Sequence, residues 1–235
     1  MTLDKFNFLF PTFPFSLFLH NTVIKSVPYY HISPAQVIDF DRVMTLQSAK
    51  LILASRSPRR RELLEEAGYL FEVCLPSEES ECGLCSDENP AQLVVRLAYQ
   101  KAADVVRRVR EGIVISCDTI VECNGEILGK PISEDHAQQM LQILSGREHH
   151  VYSGLCLWKM PDCRPNIRVA ITTLRMDPLS GPQLDEYLAG GQWEGKAGAF
   201  GYQDRLGWVH IVEGSESNVV GLPLELLAEM LKERE

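Results

Sequence analysis

Residues 51–64 read LILASRSPRRRELL, and this stretch decides how the rest of the chain is organised. The apolar run 51–54 favours a buried strand, and from residue 58 onward leucines and an alanine recur at helical spacing. Between the two runs stands a short polar turn in which Ser57 precedes Pro58, a common opening for a helix. The sequence therefore predicts a strand, a tight turn and a helix in direct succession.

The arginines around this turn point to an anion site. Arg56, Arg59 and Arg60 stand where a helix presents unpaired N–H groups and the positive end of its dipole, and guanidinium groups bind phosphate in a bidentate way. Basic residues in a first helical turn are unfavourable against that dipole, so they need another reason to be there. The alternative is a solvated face, since helical spacing places residues 59–61 largely opposite the apolar side.

The composition is that of a globular protein. The 235 residues are 45% hydrophobic and 23% charged, which suits one domain or one domain in two lobes. A net charge of −9 argues against a nucleic-acid backbone or an anionic membrane as the main partner. An acidic protein with a local arginine cluster suggests a small anionic ligand.

The seven cysteines are scattered and odd in number, which fits reduced cytosolic thiols better than a disulfide framework. Cys82 and Cys85 form one tight pair, whereas zinc sites normally need four ligands. A zinc-stabilised module built on this pair remains an alternative.

Residues 1–43 differ in pattern from the rest of the chain. Their apolar stretch is interrupted by Pro11 and Pro14, so it is too broken for a membrane span and lacks the features of a signal peptide. We expect this segment to be a poorly ordered or mis-assigned extension, with Met44 as the native start. The alternative is a membrane-associated leader.

Strands and helices alternate along the remainder of the chain. Strand patterns occur at 71–75, 113–121, 126–128, 149–158, 169–176 and 208–212. Helical patterns occur at 91–109, 133–144, 182–189 and 222–231. The fold class is therefore α/β.

Asp118 and Thr119 lie inside a nearly continuous apolar strand. An ionised carboxylate is almost never buried there without a partner, a metal or a functional role.

Lys101 lies within the helix 91–109, where a single lysine is usually on the surface. Lys130 and Lys196 occupy constrained loops, the second of them with glycines at 195, 198 and 201. Arginines, lysines and a carboxylate together suit cleavage of a phosphoanhydride.

An acidic segment at 76–90 carries five carboxylates that are either a solvated face or part of a divalent-cation site. No P-loop motif, dinucleotide fingerprint or H-E-x-x-H motif occurs in the chain. A P-loop NTPase is therefore excluded.

Six motifs in order resemble those of the Maf family, from about residue 50 to the end of the chain. They are Ser55-Arg56-Ser57-Pro58-Arg59-Arg60, Asp118-Thr119, Gly129-Lys130-Pro131, Ser145-Gly146-Arg147, residues 196–203 (KAGAFGYQ) and Gly221-Leu222-Pro223. The resemblance implies a two-lobed α/β body like that of inosine triphosphatases, with the site in a central cleft. It also implies a cytoplasmic, often dimeric enzyme that needs Mg²⁺ or Mn²⁺ and splits nucleoside triphosphates into monophosphate and diphosphate, within a domain at 44–235.

The same resemblance assigns roles to individual residues. Asp118 would be the catalytic acid and, with Glu81, a metal ligand, although Glu78 or Glu79 can take the place of Glu81. The substrate-binding residues would be Ser55, Arg56, Ser57, Arg59, Arg60, Lys101, Thr119, Lys130, Lys196 and Gln203.

The base preference implied by the resemblance is for dTTP and UTP. An arginine in the first motif, Thr119 and Gln203 are similar to that branch, and a glutamine amide can pair with the O4/N3–H edge of a pyrimidine. Tyr202 and Asp204 depart from the usual Gly-Ile-Gln-Gly. Tyr202 either packs in the core or stacks on a base. Alternatives are a 7-methyl-GTP pyrophosphatase or a nucleotide-binding regulator of septum formation with little hydrolysis.

Overall fold

The computed structural model describes residues 29–31, 49–80, 88–161 and 164–233. The strands are β1 (Tyr29–His31), β2 (Leu51–Leu53), β3 (Phe71–Val73), β4 (Gly112–Cys123), β5 (Glu126–Leu128), β6 (Glu148–Met160), β7 (Asn166–Met176) and β8 (Val209–Glu213). The helices are α1 (Pro58–Glu66), α2 (Pro90–Val106), α3 (Glu134–Leu144), α4 (Gly181–Ala189), α5 (Glu216–Val220) and α6 (Leu224–Lys232). The α/β class predicted from the sequence is confirmed.

The described strands form one mixed sheet in the order β1-β7-β6-β4-β2-β3, with β5 added to β4 and β8 added to β7. The β2–β3, β2–β4 and β1–β7 pairs are parallel, and the other pairs are antiparallel. The long strands β4 and β6 stay paired over eleven consecutive positions, from Gly112↔Met160 to Glu122↔His150. These two strands form the centre of the sheet, and the other strands pair on either side of them.

The apolar interior divides into two regions along these long strands. At one end, α1 and α6 pack on one face of the sheet around Leu64 and Leu226, and α2 packs on the other face. At the far end, α3 and α4 pack with β5, β8 and the loop that contains Phe200. Cys117 belongs to the first region and Val121 to the second, so Asp118 and Thr119 lie between the two apolar regions.

Local sequence explains most of the boundaries. Asn124 and Gly125 adopt positive φ angles of 53° and 84°, as the hairpin between β4 and β5 requires. Ser133 caps α3, since its side chain accepts a hydrogen bond from His136 N. Residues 107–109 were expected to continue α2 but lie outside it, and α5 was missed because its five residues are too few to show a helical period.

Tyr29–His31 pair in parallel with Val169–Ile171 and extend the sheet by one edge strand. The rest of residues 1–43, the Cys82–Cys85 pair and Glu81 lie outside the described residues. No helix within the described ranges is both long and apolar enough to cross a bilayer.

Candidate active site

The turn between β2 and α1 is folded around the Ser55 hydroxyl. Ser55 is only 3% exposed, and its Oγ accepts hydrogen bonds from Ser57 N at 3.2 Å and from Arg60 Nη1 at 3.2 Å. Ser57 occupies the N-cap position and Pro58 begins the helix, as predicted, but the Ser57 side chain makes no capping hydrogen bond. The turn is therefore held by a serine and an arginine in place of the expected cap.

Arg60 lies on the inner side of α1 and is buried, so the alternative of a solvated face is wrong for this residue. Its guanidinium donates to Gly221 O at 2.8 Å and to Thr119 Oγ1 at 3.2 Å, in addition to Ser55. These acceptors come from the loop before α6, from β4 and from the β2–α1 turn. Because a planar guanidinium donates in several fixed directions, Arg60 ties the three segments together.

Asp118 forms a buried ion pair with Lys101. The Lys101 ammonium donates to Asp118 Oδ1 at 2.6 Å, and the two side chains are 6% and 13% exposed. A single lysine in a helix usually lies on the surface, but Lys101 is buried. The pair joins α2 to the middle of β4, between the two apolar regions.

Close packing brings α2 within reach of Asp118. Gly154 stands opposite Asp118 in β6, and a Cβ at Gly154 would lie 2.3 Å from Val94 O in α2. Ser116 Oγ also donates to Ala98 O at 2.6 Å. A residue without a side chain at position 154 thus allows the helix to approach the strand closely enough for Lys101 to meet Asp118.

Thr119 projects from β4 on the side opposite Asp118, since successive strand residues alternate. Its hydroxyl contacts Arg60, lies 2.8 Å from Ser153 Oγ and 3.3 Å from Gly221 O. Ser153 is fully buried and was not predicted, because a serine within a strand carries no signal of its own. Burial raises the pKa of the neighbouring Cys117 thiol, which keeps that thiol protonated and unreactive.

Hydrogen bonds connect the lysine-bearing loops to the first motif. Gly198 N donates to Gly129 O at 3.0 Å, which joins the Lys196 loop to the segment that carries Lys130. Arg59 Nη2 donates to Gly195 O at 3.1 Å. Burial and the adjacent Arg60 lower the pKa of Arg59, and Asp204 opposes them. Arg59, Lys130 and Lys196 are thus on connected segments.

Lys196 donates to Asp204, and both side chains are 13% exposed. The pair packs over Gly201, where a Cβ would lie 2.7 Å from Asp204 Oδ2, 2.7 Å from Lys196 Nζ and 3.0 Å from Gln203 Nε2. Gln203 therefore lies next to this ion pair.

Arg56 points toward the acidic segment. It donates to Pro76 O at 2.8 Å, and Arg56 Nη1 lies 3.9 Å from Glu78 Oε1. At the far end of the same segment, Arg96 binds Glu88 through hydrogen bonds of 2.6 and 2.7 Å. The part between them contains Glu81, which lies outside the described residues.

The carboxylates in the described part of the chain do not form a complete cation cage, since no group of three or more His, Cys, Asp or Glu residues there can hold a metal ion. Mg²⁺ is commonly held by one or two carboxylates together with substrate phosphates. Asp118, whose Oδ1 binds Lys101 and which has a second carboxylate oxygen, fits that requirement.

Comparison with known proteins gives a consistent result. The family model described as Maf-like protein matches residues 50–234. A dTTP/UTP pyrophosphatase of Rhodopirellula baltica is 53% identical over 183 residues, covering 77% of this chain and 81% of that protein. A dTTP/UTP pyrophosphatase of Carboxydothermus hydrogenoformans is 40% identical over 185 residues, covering 78% and 98%. Among solved structures, a HAM1 protein from Coxiella burnetii matches 79% of this chain and 99% of its own, with 16% identity and a TM-score of 0.45.

Proposed function

The chain belongs to the Maf family, and from that premise we propose that it hydrolyses dTTP and UTP to the nucleoside monophosphate and diphosphate. The observation that carries the proposal is the network of contacts that joins the motifs. Arg60 links the first motif to Thr119 and Gly221, and Thr119 adjoins Asp118 with its partner Lys101. The first motif, Thr119 and the Asp118–Lys101 pair are thereby held in one framework, which supports a common site.

Asp118 is the proposed catalytic residue. Its ionised carboxylate, stabilised by the Lys101 ammonium 2.6 Å away, can orient a water molecule and accept its proton as the water attacks phosphorus. Attack at the α-phosphorus breaks the α–β anhydride bond, and the diphosphate leaves. Lys101 also keeps the carboxylate in one position, so the water is aligned before the reaction begins.

The proposed phosphate-binding groups are Arg56, Arg59, Lys130 and Lys196. Their positive charges neutralise the triphosphate and the additional charge that develops on the leaving oxygen. Ser57 lies at the start of α1, whose first N–H groups also favour anions. Arg60 stabilises the surrounding segments through hydrogen bonds to its three protein acceptors.

We propose Mg²⁺ or Mn²⁺ as the cofactor, with Asp118 as one ligand and Glu81 as a second from the acidic segment. The cation would supply Lewis-acid polarisation of the phosphoryl oxygens. Asp118, as one carboxylate ligand in the middle of β4, suits a metal that is bound mainly through the substrate, which is the usual arrangement for magnesium and triphosphates.

Base preference is assigned to Gln203 and to Thr119 of β4. The Gln203 amide can both donate to and accept from a pyrimidine edge. Residues 44–235 are proposed as the nucleotide-hydrolysing domain, in agreement with the family match over residues 50–234. We further propose a cytoplasmic enzyme, and a homodimer as its assembly.

A panel of nucleoside triphosphates tests the proposal. Release of diphosphate is measured for dTTP, UTP, dCTP, dATP, GTP and 7-methyl-GTP with Mg²⁺ or Mn²⁺. We expect the highest kcat/KM for dTTP and UTP. Hydrolysis of 7-methyl-GTP above both would overturn the base assignment, and tight nucleotide binding without hydrolysis of any substrate would overturn the enzymatic proposal.

A further inference from the structure

Asp204 places a negative charge inside the region that has to accept a triphosphate. Its carboxylate binds Lys196 and acts electrostatically on Arg59, which are two of the four cations that the proposed function assigns to phosphates. An acidic side chain at such a position opposes the binding of any anion. It therefore needs a role that outweighs this disadvantage.

The Lys196–Asp204 pair is an enclosed unit. Both side chains are 13% exposed, and the absence of a Cβ at Gly201 leaves the space that the two charged groups occupy. Lys196 begins the short 3₁₀ turn Ala197–Ala199, and Asp204 ends the turn Tyr202–Asp204. The pair thus closes the loop between the two turns and holds Gln203 within it.

Tyr187 offers Asp204 a second partner. Tyr187 is 6% exposed, and its hydroxyl lies near the Asp204 carboxylate and the Gly201 peptide without reaching hydrogen-bond geometry with either. Burial, with the Asp204 charge, raises the pKa of Tyr187, so its hydroxyl keeps its proton and can donate it in a hydrogen bond. A carboxylate that loses Lys196 can therefore be stabilised by Tyr187.

We propose that Asp204 competes with the substrate's phosphates for Lys196 and, with Tyr187 as its alternative partner, promotes release of the diphosphate product. When a triphosphate is bound, Lys196 contacts the phosphates and Asp204 accepts a hydrogen bond from the Tyr187 hydroxyl. When only diphosphate remains, the ion pair between Asp204 and Lys196 forms again and the diphosphate dissociates. This inference rests on the proposed function, because it takes Lys196 as a phosphate-binding residue.

Isothermal titration calorimetry with inorganic diphosphate tests the inference independently of turnover. Asp204→Asn keeps the size and an acceptor oxygen but removes the charge, and we expect it to bind diphosphate about tenfold more tightly than the wild type at fixed ionic strength. Asp185→Asn changes the net charge equally at an exposed position of α4 and should leave the affinity within about twofold of the wild type.

Two further variants separate this role from a structural one. In a Lys196→Met background, Asp204→Asn should give less than about a threefold gain, because the cation for which it competes is absent. Tyr187→Phe keeps the ring that packs edge-on against Trp208 and should weaken diphosphate binding about threefold, since Asp204 then has no second partner.

Unchanged or weaker diphosphate binding by a folded Asp204→Asn variant would overturn the inference, and so would an equal gain in the Lys196→Met background. Circular dichroism confirms folding in each case. Absence of nucleotide hydrolysis by the wild type would instead refute the proposed function, so the two failures are distinguishable.

Discussion

His149 makes the stability of the protein depend on pH. The side chain is fully buried at the start of β6, its ring meets Phe200 edge-on with centroids 5.4 Å apart, and Nε2 has no hydrogen-bond partner among the described residues. Burial lowers the pKa of His149 from 6.5 to about 4. The folded protein therefore keeps this imidazole neutral at pH values where the unfolded chain protonates it.

The sign and size of the effect follow from linkage. The contribution of His149 to stability is complete above pH 6.5 and is lost as the pH falls toward 4, because only the unfolded state gains the proton in that interval. With about 1.36 kcal/mol per pKa unit, the loss is about 2 kcal/mol at pH 5 and about 3 kcal/mol at pH 4.

Urea unfolding followed by circular dichroism at pH 7, 6, 5 and 4.5 measures this loss. In His149→Leu, the free energy of unfolding should decline between pH 7 and 5 by about 2 kcal/mol less than in the wild type. His136→Gln, which removes a partly exposed histidine from α3, should decline like the wild type. Parallel curves for His149→Leu and the wild type would show that His149 is not the group responsible.

Two substitutions test how the site is held together. In Arg60→Lys, the lysine cannot reach Ser55, Thr119 and Gly221 at once. We therefore expect the free energy of unfolding, measured by urea titration, to fall by about 2–3 kcal/mol and the kcat for UTP to decrease. Wild-type stability of this variant would contradict the role of Arg60 in joining the three segments. Gly154→Ala places a Cβ 2.3 Å from Val94 O, so α2 has to move away, and we expect a destabilisation above about 2 kcal/mol with a reduced kcat. Thermal unfolding and steady-state assays measure both effects, and a normal kcat in the Gly154→Ala variant would show that Lys101 does not depend on this close approach.

The sequence was sufficient for the elements that carry a strong local signal. The strand–turn–helix that begins at residue 51, the strands β4 and β5 and the helix α3 all form where predicted, because each carries a clear local pattern. The position of Asp118 in the middle of β4 was also predicted, since a carboxylate in an apolar strand stands out in the sequence.

The direction of individual side chains was harder to predict. Arg60 turns inward because its acceptors come from residues 55, 119 and 221, which only the tertiary fold brings together. Lys101 is buried for a similar reason, since Asp118 lies 17 positions away. Ser153 and Tyr187 carried no signal at all, because their significance comes from the neighbours that they acquire on folding.

Single-turnover hydrolysis of UTP by Asp118→Asn tests the central claim most directly. The amide keeps the shape of the side chain but cannot accept the proton of the attacking water, and Lys101 loses its charged partner. We predict a fall in the rate of diphosphate release of at least about a thousandfold, with UTP binding retained and the protein still folded. Release of diphosphate at the wild-type rate by the folded variant would contradict the assignment of Asp118 as the catalytic residue.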